Sequence, residues 1–213
     1  MREKTSDIRP LAREIAQHFG QGWTMEEAPP DWGEQVRTRA YLVHEDGRRI
    51  MLLADWGPGG KVRVCGDYGE DNGRRVCPRD IGAISWDETA PVINVSPHRS
   101  AEAVARDIAR RFLPRYTEVW ARCREKIEGR REYRRRAKEN AERIAKAIGA
   151  APNDVRAHEG GDAYTIYVRA TDLQYGRIEV GGSYAEIRVS VRDMGAAEKI
   201  ARVLADSPEE LRL

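Results

Sequence analysis

Cysteine is scarce in this chain of 213 residues. The three cysteines, Cys65, Cys77 and Cys123, form no C-x-x-C pair and lack the spacing of a zinc site, so we expect no metal and no cofactor. A disulfide between Cys65 and Cys77 is one option. Because disulfides are rare in reducing cytosol, the stronger expectation is three free thiols.

Long apolar runs are also missing. No stretch reaches the roughly 18 consecutive apolar residues of a membrane-spanning helix. Residues 1–10 are polar and mixed in charge, without the hydrophobic centre of a signal peptide. These absences predict a soluble, cytoplasmic protein with no membrane partner.

The net charge is close to zero, because 37 lysines and arginines are balanced by 35 aspartates and glutamates, which gives +2. This balance excludes a histone-like polycation and an acidic nucleic-acid mimic as descriptions of the whole chain. It leaves open a local concentration of charge.

Catalytic signatures are missing as well. The chain has no phosphate-binding G-x-x-x-x-G-K-[ST], no G-x-G-x-x-G, no G-x-S-x-G elbow and no H-E-x-x-H. The acidic segment 67–73 departs from the order of a calcium loop. We therefore expect a protein that is not an enzyme. A minor alternative places an active site in the long 66–91 segment, using Asp67, Glu70, Asp71 and His98.

The N-terminal half contains regular apolar patterns. Residues 8–19 repeat apolar side chains at helical spacing and end at Gly20, whereas 23–33 is rich in Trp, Pro and acids and predicts a loop. Segments 35–44 and 48–53 favour strands joined at Asp46-Gly47, a strong hairpin signal. Residues 61–65 and 92–95 predict two more strands. The intervening 66–91 is too long for an ordinary loop, so it is either a functional loop or contains minor structure.

Ser100 begins the longest helical pattern, which Pro114 should kink or divide. The apolar face disappears over 128–136 and returns over 137–148. Gly129 lies where a helix could end in a left-handed cap, so the sequence leaves open whether it breaks the helix.

The C-terminal third repeats the opening plan, with predicted strands at 164–169, 177–180 and 187–191 and a helix at 196–204. The sequence thus predicts an α+β protein of two helix–antiparallel sheet–helix lobes joined by a long basic helix, the lobes arising from an internal duplication. The expected boundaries are 1–113 for the N-terminal lobe, 114–136 for the connecting helix and 137–213 for the C-terminal lobe.

Charge is concentrated in residues 121–138, where nine lysines and arginines face three glutamates, a local +6. On one helix the residues spaced by four form a slowly winding stripe, suited to a phosphate backbone or an acidic protein surface. The alternative is a solvated helix that only joins two lobes. The candidate binding residues are Arg122, Lys126, Arg130, Arg131, Arg134, Arg135, Arg136 and Lys138.

Tryptophan is common relative to phenylalanine, with five against two. Four of the five tryptophans lie in predicted loops. A loop tryptophan usually covers the edge of a core, but it also serves as an interface anchor. The candidate anchors are Trp32, Trp56 and Trp86.

Two resemblances add expectations. The run Ile93-Asn94-Val95-Ser96 and segments 103–108 and 110–116 resemble a block in uncharacterised accessory proteins of phages and prophages from high-GC bacteria. By analogy this implies an anti-CRISPR-like counter-defence protein that occludes a nucleic-acid-handling host protein or ribonucleoprotein complex, and a homodimer is compatible with it. The order of elements also resembles a double-stranded-RNA-binding domain, although the lysine cluster of that family is not present. The alternative function is therefore direct DNA or RNA binding, either repressor-like or of this RNA-binding type.

Overall fold

The computed structural model describes residues 7–27, 37–54, 60–168, 173–191 and 194–205. The predicted α+β class is confirmed: antiparallel sheets combine with helices, and a long helix lies between the two sheet regions of the sequence. The helices are α1 (Arg9–Phe19), α2 (Ala101–Arg111), α3 (Leu113–Ile148) and α4 (Met194–Ala205). The strands are β1 (Trp23–Glu27), β2 (Arg39–His44), β3 (Arg49–Ala54), β4 (Val62–Asp67), β5 (Glu70–Asp71), β6 (Arg74–Arg75), β7 (Val92–Val95), β8 (Val155–Ala157), β9 (Ala163–Tyr167), β10 (Leu173–Gly181) and β11 (Ala185–Val191).

The chain divides into two compact units, Met1–Ile127 and Glu128–Leu213. The boundary falls within α3. The sequence-based division at 113 and 136 stays a prediction.

The N-terminal unit contains an antiparallel sheet in the order β1-β2-β3-β4-β7. The predicted hairpin at Asp46-Gly47 is confirmed, and Gly47 has the positive φ of 91° that glycine tolerates without strain. Side chains of α1, α2 and the first part of α3 share one core with the sheet. Its fully buried members include Ile15, Leu42, Ile50, Leu52, Val64, Val104, Ile108 and Phe112.

The prediction of a loop from residue 23 onward was wrong for its first five residues. Trp23–Glu27 forms β1, which pairs antiparallel with β2 so that Trp23 faces His44. The ring of Trp23 also lies 5.1 Å from that of Phe19. Five residues beside glycines and prolines give too short an alternation to reveal a strand, and pairing with β2 decides the conformation.

The long 66–91 segment contains minor structure. β4 continues to Asp67, and the β5–β6 hairpin follows. Tyr68, Ile81 and Ile84 are buried in the core of the N-terminal unit. The segment is therefore part of the packed unit.

The division at Pro114 is confirmed. Helix α2 ends at Arg111, α3 begins at Leu113, and Pro114 occupies the first turn of α3, where a missing N–H costs nothing. The open question at Gly129 is also answered, because α3 continues through it.

The C-terminal unit contains an antiparallel sheet in the order β11-β10-β9-β8. The last turns of α3 contribute Ala141 and Ala145 to a small core with Ile166, Ile178 and Val180. Strand β8 was not predicted. The order of elements follows the predicted helix–sheet–helix plan in both units, and internal duplication stays a prediction.

Candidate functional site

The first two predicted basic residues lie in the N-terminal unit. Arg122 is half-buried, forms an ion pair with Glu118 and approaches Glu88 at 3.5 Å. Lys126 is exposed. The prediction did not identify Glu88 as a partner, because it is 34 residues away in sequence.

The remaining predicted cations lie in the C-terminal unit, among acidic neighbours. The side chain of Arg134 is only 18% exposed, and its guanidinium lies 3.6 Å from Asp162. Arg135 contacts Glu132 at 2.7 Å and Glu139 at 2.6 Å. Arg136 contacts Glu132 at 2.7 Å, and Lys138 lies 3.9 Å from Glu142. Arg130 and Arg131 are exposed and also have interaction partners.

These ion pairs change the electrostatic character of the predicted stripe. The pKa of Glu132 is lowered to about 2, first by the hydrogen bond from Arg135 and then by that from Arg136. Arg134 lies on the same face of α3 as Ala137 and Ala141, which follow it at helical spacing and are buried. Arg134, Arg135, Arg136 and Lys138 are therefore paired with carboxylates rather than forming a row of free cations.

Of the three candidate tryptophan anchors, Trp32 and Trp56 lie outside the described residues. Trp86 is 83% exposed. The guanidinium of Arg79 lies 5.5 Å from the Trp86 ring centroid, within cation–π range. Trp23 and Trp120 instead pack against the core of the N-terminal unit. Among the described tryptophans, Trp86 is the one available to a partner.

A groove of about 590 Å³ begins two residues after Trp86. One wall is Glu88, Thr89, Ala90 and Pro91 followed by Val92 and Ile93 of β7, and the other side carries Arg111 and Arg115. Strand β7 is the edge strand at the end of its sheet. Val92 is 50% exposed. The groove thus combines an edge strand, an apolar side chain and two guanidinium groups.

Glu88 fixes the first wall of the groove. Its carboxylate accepts a hydrogen bond from the Ser85 backbone N–H at 3.1 Å and pairs with Arg115. These contacts lower its pKa to about 2, the Ser85 bond being the largest cause. Arg79 donates to the Glu88 carbonyl at 2.8 Å. The segment next to Trp86 is therefore held to α3 by charge-assisted hydrogen bonds.

Three guanidinium groups converge on one carboxylate beside this groove. Asp107 of α2 is 13% exposed, pairs with Arg99, and lies 3.6 Å from Arg110 and 3.8 Å from Arg111. The pKa of Asp107 is lowered, first by the hydrogen bond from Arg99. One negative charge among three positive ones leaves an excess of two, and Arg111 brings this excess to the groove. The sequence signal was present, since Arg110 and Arg111 follow Asp107 by three and four residues.

The residues of the minor enzyme hypothesis belong to separate elements. Asp67 ends β4, Glu70 and Asp71 form β5, and His98 is exposed in the turn before α2. In the described part of the chain no group of three or more His, Cys, Asp or Glu is placed to hold a metal ion.

A histidine–carboxylate pair that sequence reasoning missed lies at the β2–β3 turn. His44 Nδ1 is 2.8 Å from Asp46 Oδ1, which is also 3.1 Å from Arg48 Nε. Such a pair orients a general base in many enzymes. Here the Gly22 backbone lies close to the ring, since a Cβ added to Gly22 would lie 2.8 Å from His44 Nε2. We assign the pair to fixing the turn.

Among the described residues, no helix has the length and apolar character needed to cross a membrane. Comparison of the chain with protein-family models, with curated proteins and with solved structures gives no match.

Proposed function

We propose that the chain is a non-enzymatic binding protein whose N-terminal unit holds a segment of a partner protein in the groove beside β7. The observation that carries the proposal is the convergence of Arg99, Arg110 and Arg111 on Asp107 beside a groove lined by the edge strand β7.

The groove favours an extended, acidic segment. An edge strand offers unpaired backbone N–H and C=O groups to an added strand, and exposed Val92 offers an apolar contact. The excess positive charge at Arg110 and Arg111 attracts carboxylates of the partner and steers its approach. Trp86 adds a large aromatic surface next to the groove, of the kind that dominates binding energy in interfaces.

The biological setting of this binding is part of the proposal. The resemblance to phage accessory proteins favours a host complex that handles nucleic acid as the partner. Occupation of the groove by a segment of that complex would block it without catalysis.

The test is affinity capture with the full-length chain as bait in a nuclease-treated bacterial lysate. We expect a captured protein whose yield falls at least about tenfold for V92K and for R110E/R111E, since charge reversal at a complementary interface costs several kcal/mol. The matched control is R106E, which reverses an exposed arginine of α2 that pairs with Glu102 at 2.8 Å and does not line the groove. Equal capture by R110E/R111E and the native chain would contradict the proposal.

Direct nucleic-acid binding is the second candidate, favoured by the net +6 of residues 121–138. It predicts a mobility shift of duplex DNA or RNA. On duplex DNA the logarithm of the binding constant is expected to fall with the logarithm of salt concentration with a slope of about −5 to −7, the value for about five to eight phosphate contacts. Under the leading proposal no shift is expected at physiological salt. The informative variant is R135A/R136A/K138A, which leaves the half-buried Arg134 in place. A steep salt-dependent shift that this variant loses would favour the second candidate.

A further inference from the structure

The sheet of the C-terminal unit ends in β11, an edge strand whose side chains are almost all exposed. All six residues 185–190 of β11 are exposed, and Ile187 is 60% exposed. In the β10–β11 register Ile187 lies opposite Ile178, and Ala185 lies opposite Val180. Ile178 and Val180 belong to the core beneath α3. The apolar face of the sheet therefore extends beyond its core onto the exposed edge strand.

The backbone of β11 is oriented for a further strand. Gly181 N donates to Tyr184 O at 2.9 Å, which makes these two residues a hydrogen-bonded pair at the start of the hairpin. Because hydrogen-bonded and non-hydrogen-bonded pairs alternate in antiparallel sheets, the peptide groups of Glu186 and Arg188 bond to β10. Those of Ala185, Ile187 and Val189 face the free edge.

The two charged residues of this strand each lie opposite a residue of like sign in β10. Arg188 lies opposite Arg177 of β10, and Glu186 lies opposite Glu179. Like charges directly opposite each other destabilise a strand pair. Within the strand, Arg188 Nε lies 2.6 Å from Glu186 Oε1, so the two side chains extend from the same face. The strand thus presents one acid and one base on either side of Ile187.

This arrangement is self-complementary. We propose that two copies of the chain associate by antiparallel pairing of β11 with β11 about a two-fold axis at Ile187. In that register Ile187 lies opposite the partner's Ile187, and Ala185 lies opposite the partner's Val189. Glu186 lies opposite the partner's Arg188, and the symmetry repeats this ion pair.

The proposed pairing has three consequences, for the backbone edge, for the charges and for the number of copies. The outward peptide groups of Ile187 in each copy form a hydrogen-bonded pair, so the free edge disappears. Glu186 and Arg188 of each copy gain oppositely charged partners across the interface. The two four-stranded sheets become one sheet of eight strands, and because the interface is isologous the assembly closes at two copies.

The experiment measures the mass of the full-length chain by sedimentation equilibrium at about 1 to 100 µM, the range in which a modest interface associates. The native chain is expected to approach twice 24.1 kDa. E186R and R188E each place like charges opposite each other in the homodimer, so we expect their dissociation constants to rise at least about tenfold.

One mixture of variants and one double variant make the test specific to the Glu186–Arg188 pairs. An equimolar mixture of E186R and R188E is expected to form a heterodimer, because every cross-strand pair between these two variants is again of opposite sign. The double swap E186R/R188E is expected to restore the homodimer. I187K is expected to give a monomer, and I148K, which changes an exposed isoleucine at the end of α3, is the matched control.

A monomeric native chain over this concentration range would overturn the proposal. So would association that E186R and R188E leave unchanged, failure of their mixture to associate, or growth beyond two copies. Circular dichroism of each variant identifies any loss of association that comes from unfolding. None of these readouts depends on the groove of the N-terminal unit, so this proposal and the proposed function fail independently.

Discussion

The hydroxyl of Tyr116 and the backbone of Arg49 bind each other in both directions. Arg49 N donates to the hydroxyl at 2.8 Å, and the hydroxyl donates to Arg49 O at 2.8 Å, with Asp67 O nearby at 3.1 Å. Burial is the largest cause of the raised pKa of Tyr116, which keeps the phenol protonated. This buried pair joins the first part of α3 to strands β3 and β4 and so fixes one side of the N-terminal unit.

Tyr116→Phe is expected to lower the free energy of unfolding of the N-terminal unit by about 1–3 kcal/mol, because buried backbone groups lose their partner. Tryptophan fluorescence in urea reports this unit, since all five tryptophans precede residue 128. The control is Tyr68→Phe, whose buried hydroxyl has no hydrogen-bond partner among the residues that the structure describes and whose ring lies 5.6 Å from that of Tyr116. We expect the control to stay within about 0.5 kcal/mol of the native chain or to exceed it. Equal losses in both variants would contradict the assigned role of Tyr116.

Substitution by alanine is expected to destabilise the protein at Gly66 and to stabilise it at Gly129. A Cβ on Gly66 would lie 2.6 Å from the Tyr116 ring and 2.8 Å from Tyr68, so Gly66→Ala is expected to cost about 1–3 kcal/mol through overpacking. A Cβ on Gly129 meets nothing within 4 Å, so Gly129→Ala inside α3 is expected to stabilise by about 0.5–1 kcal/mol. Thermal unfolding followed by circular dichroism checks both. A destabilised Gly129→Ala would argue against a continuous α3.

The low pKa of Glu88 predicts that the free energy of unfolding depends on pH below about 4.5. Its folded pKa of about 2 lies below the ordinary 4.5, because Ser85 and Arg115 bind the charged form. A depressed pKa adds stability above the unfolded value, and that stability is lost as pH falls from about 4.5 toward 2. Glu88→Gln is therefore expected to flatten the stability–pH curve over that interval, measured as urea midpoints. A Glu88 carboxyl that titrates near 4.5 in an NMR experiment would refute the contact.

The three free cysteines should differ in reactivity. Cys77 is exposed, whereas burial raises the pKa of Cys65 and raises that of Cys123 to about 12. Because the thiolate is the nucleophile, one thiol per chain is expected to react rapidly with Ellman's reagent at about pH 8. Cys77→Ser should remove this rapid phase and Cys123→Ser should retain it. Two rapid thiols in the native chain would show that Cys65 is more accessible than its burial indicates.

Local patterns predicted most of the regular elements. Helical spacing identified α1, the α2–α3 region and α4, and Asp46-Gly47 identified the hairpin, because these signals lie within a few residues of one another. Strands β1 and β8 have five and three residues, too few for a period to appear, and pairing across the sheet determines them. The candidate site was predicted only at Trp86. Glu88 reaches Arg115 across 27 residues and Arg122 across 34, and no spacing rule reports such contacts.

The amino-acid sequence alone determined the α+β class with antiparallel sheets, an interruption of the helical pattern at Pro114 and the concentration of positive charge on the long helix. Those properties follow from side-chain periodicity, proline geometry and composition, all of which act locally. Tertiary structure decided what the charges do. Packing brings Arg134 to Asp162, and it brings Arg115 and Arg122 to Glu88. These electrostatic partners are selected by distance in space, which folding sets, and not by separation along the chain.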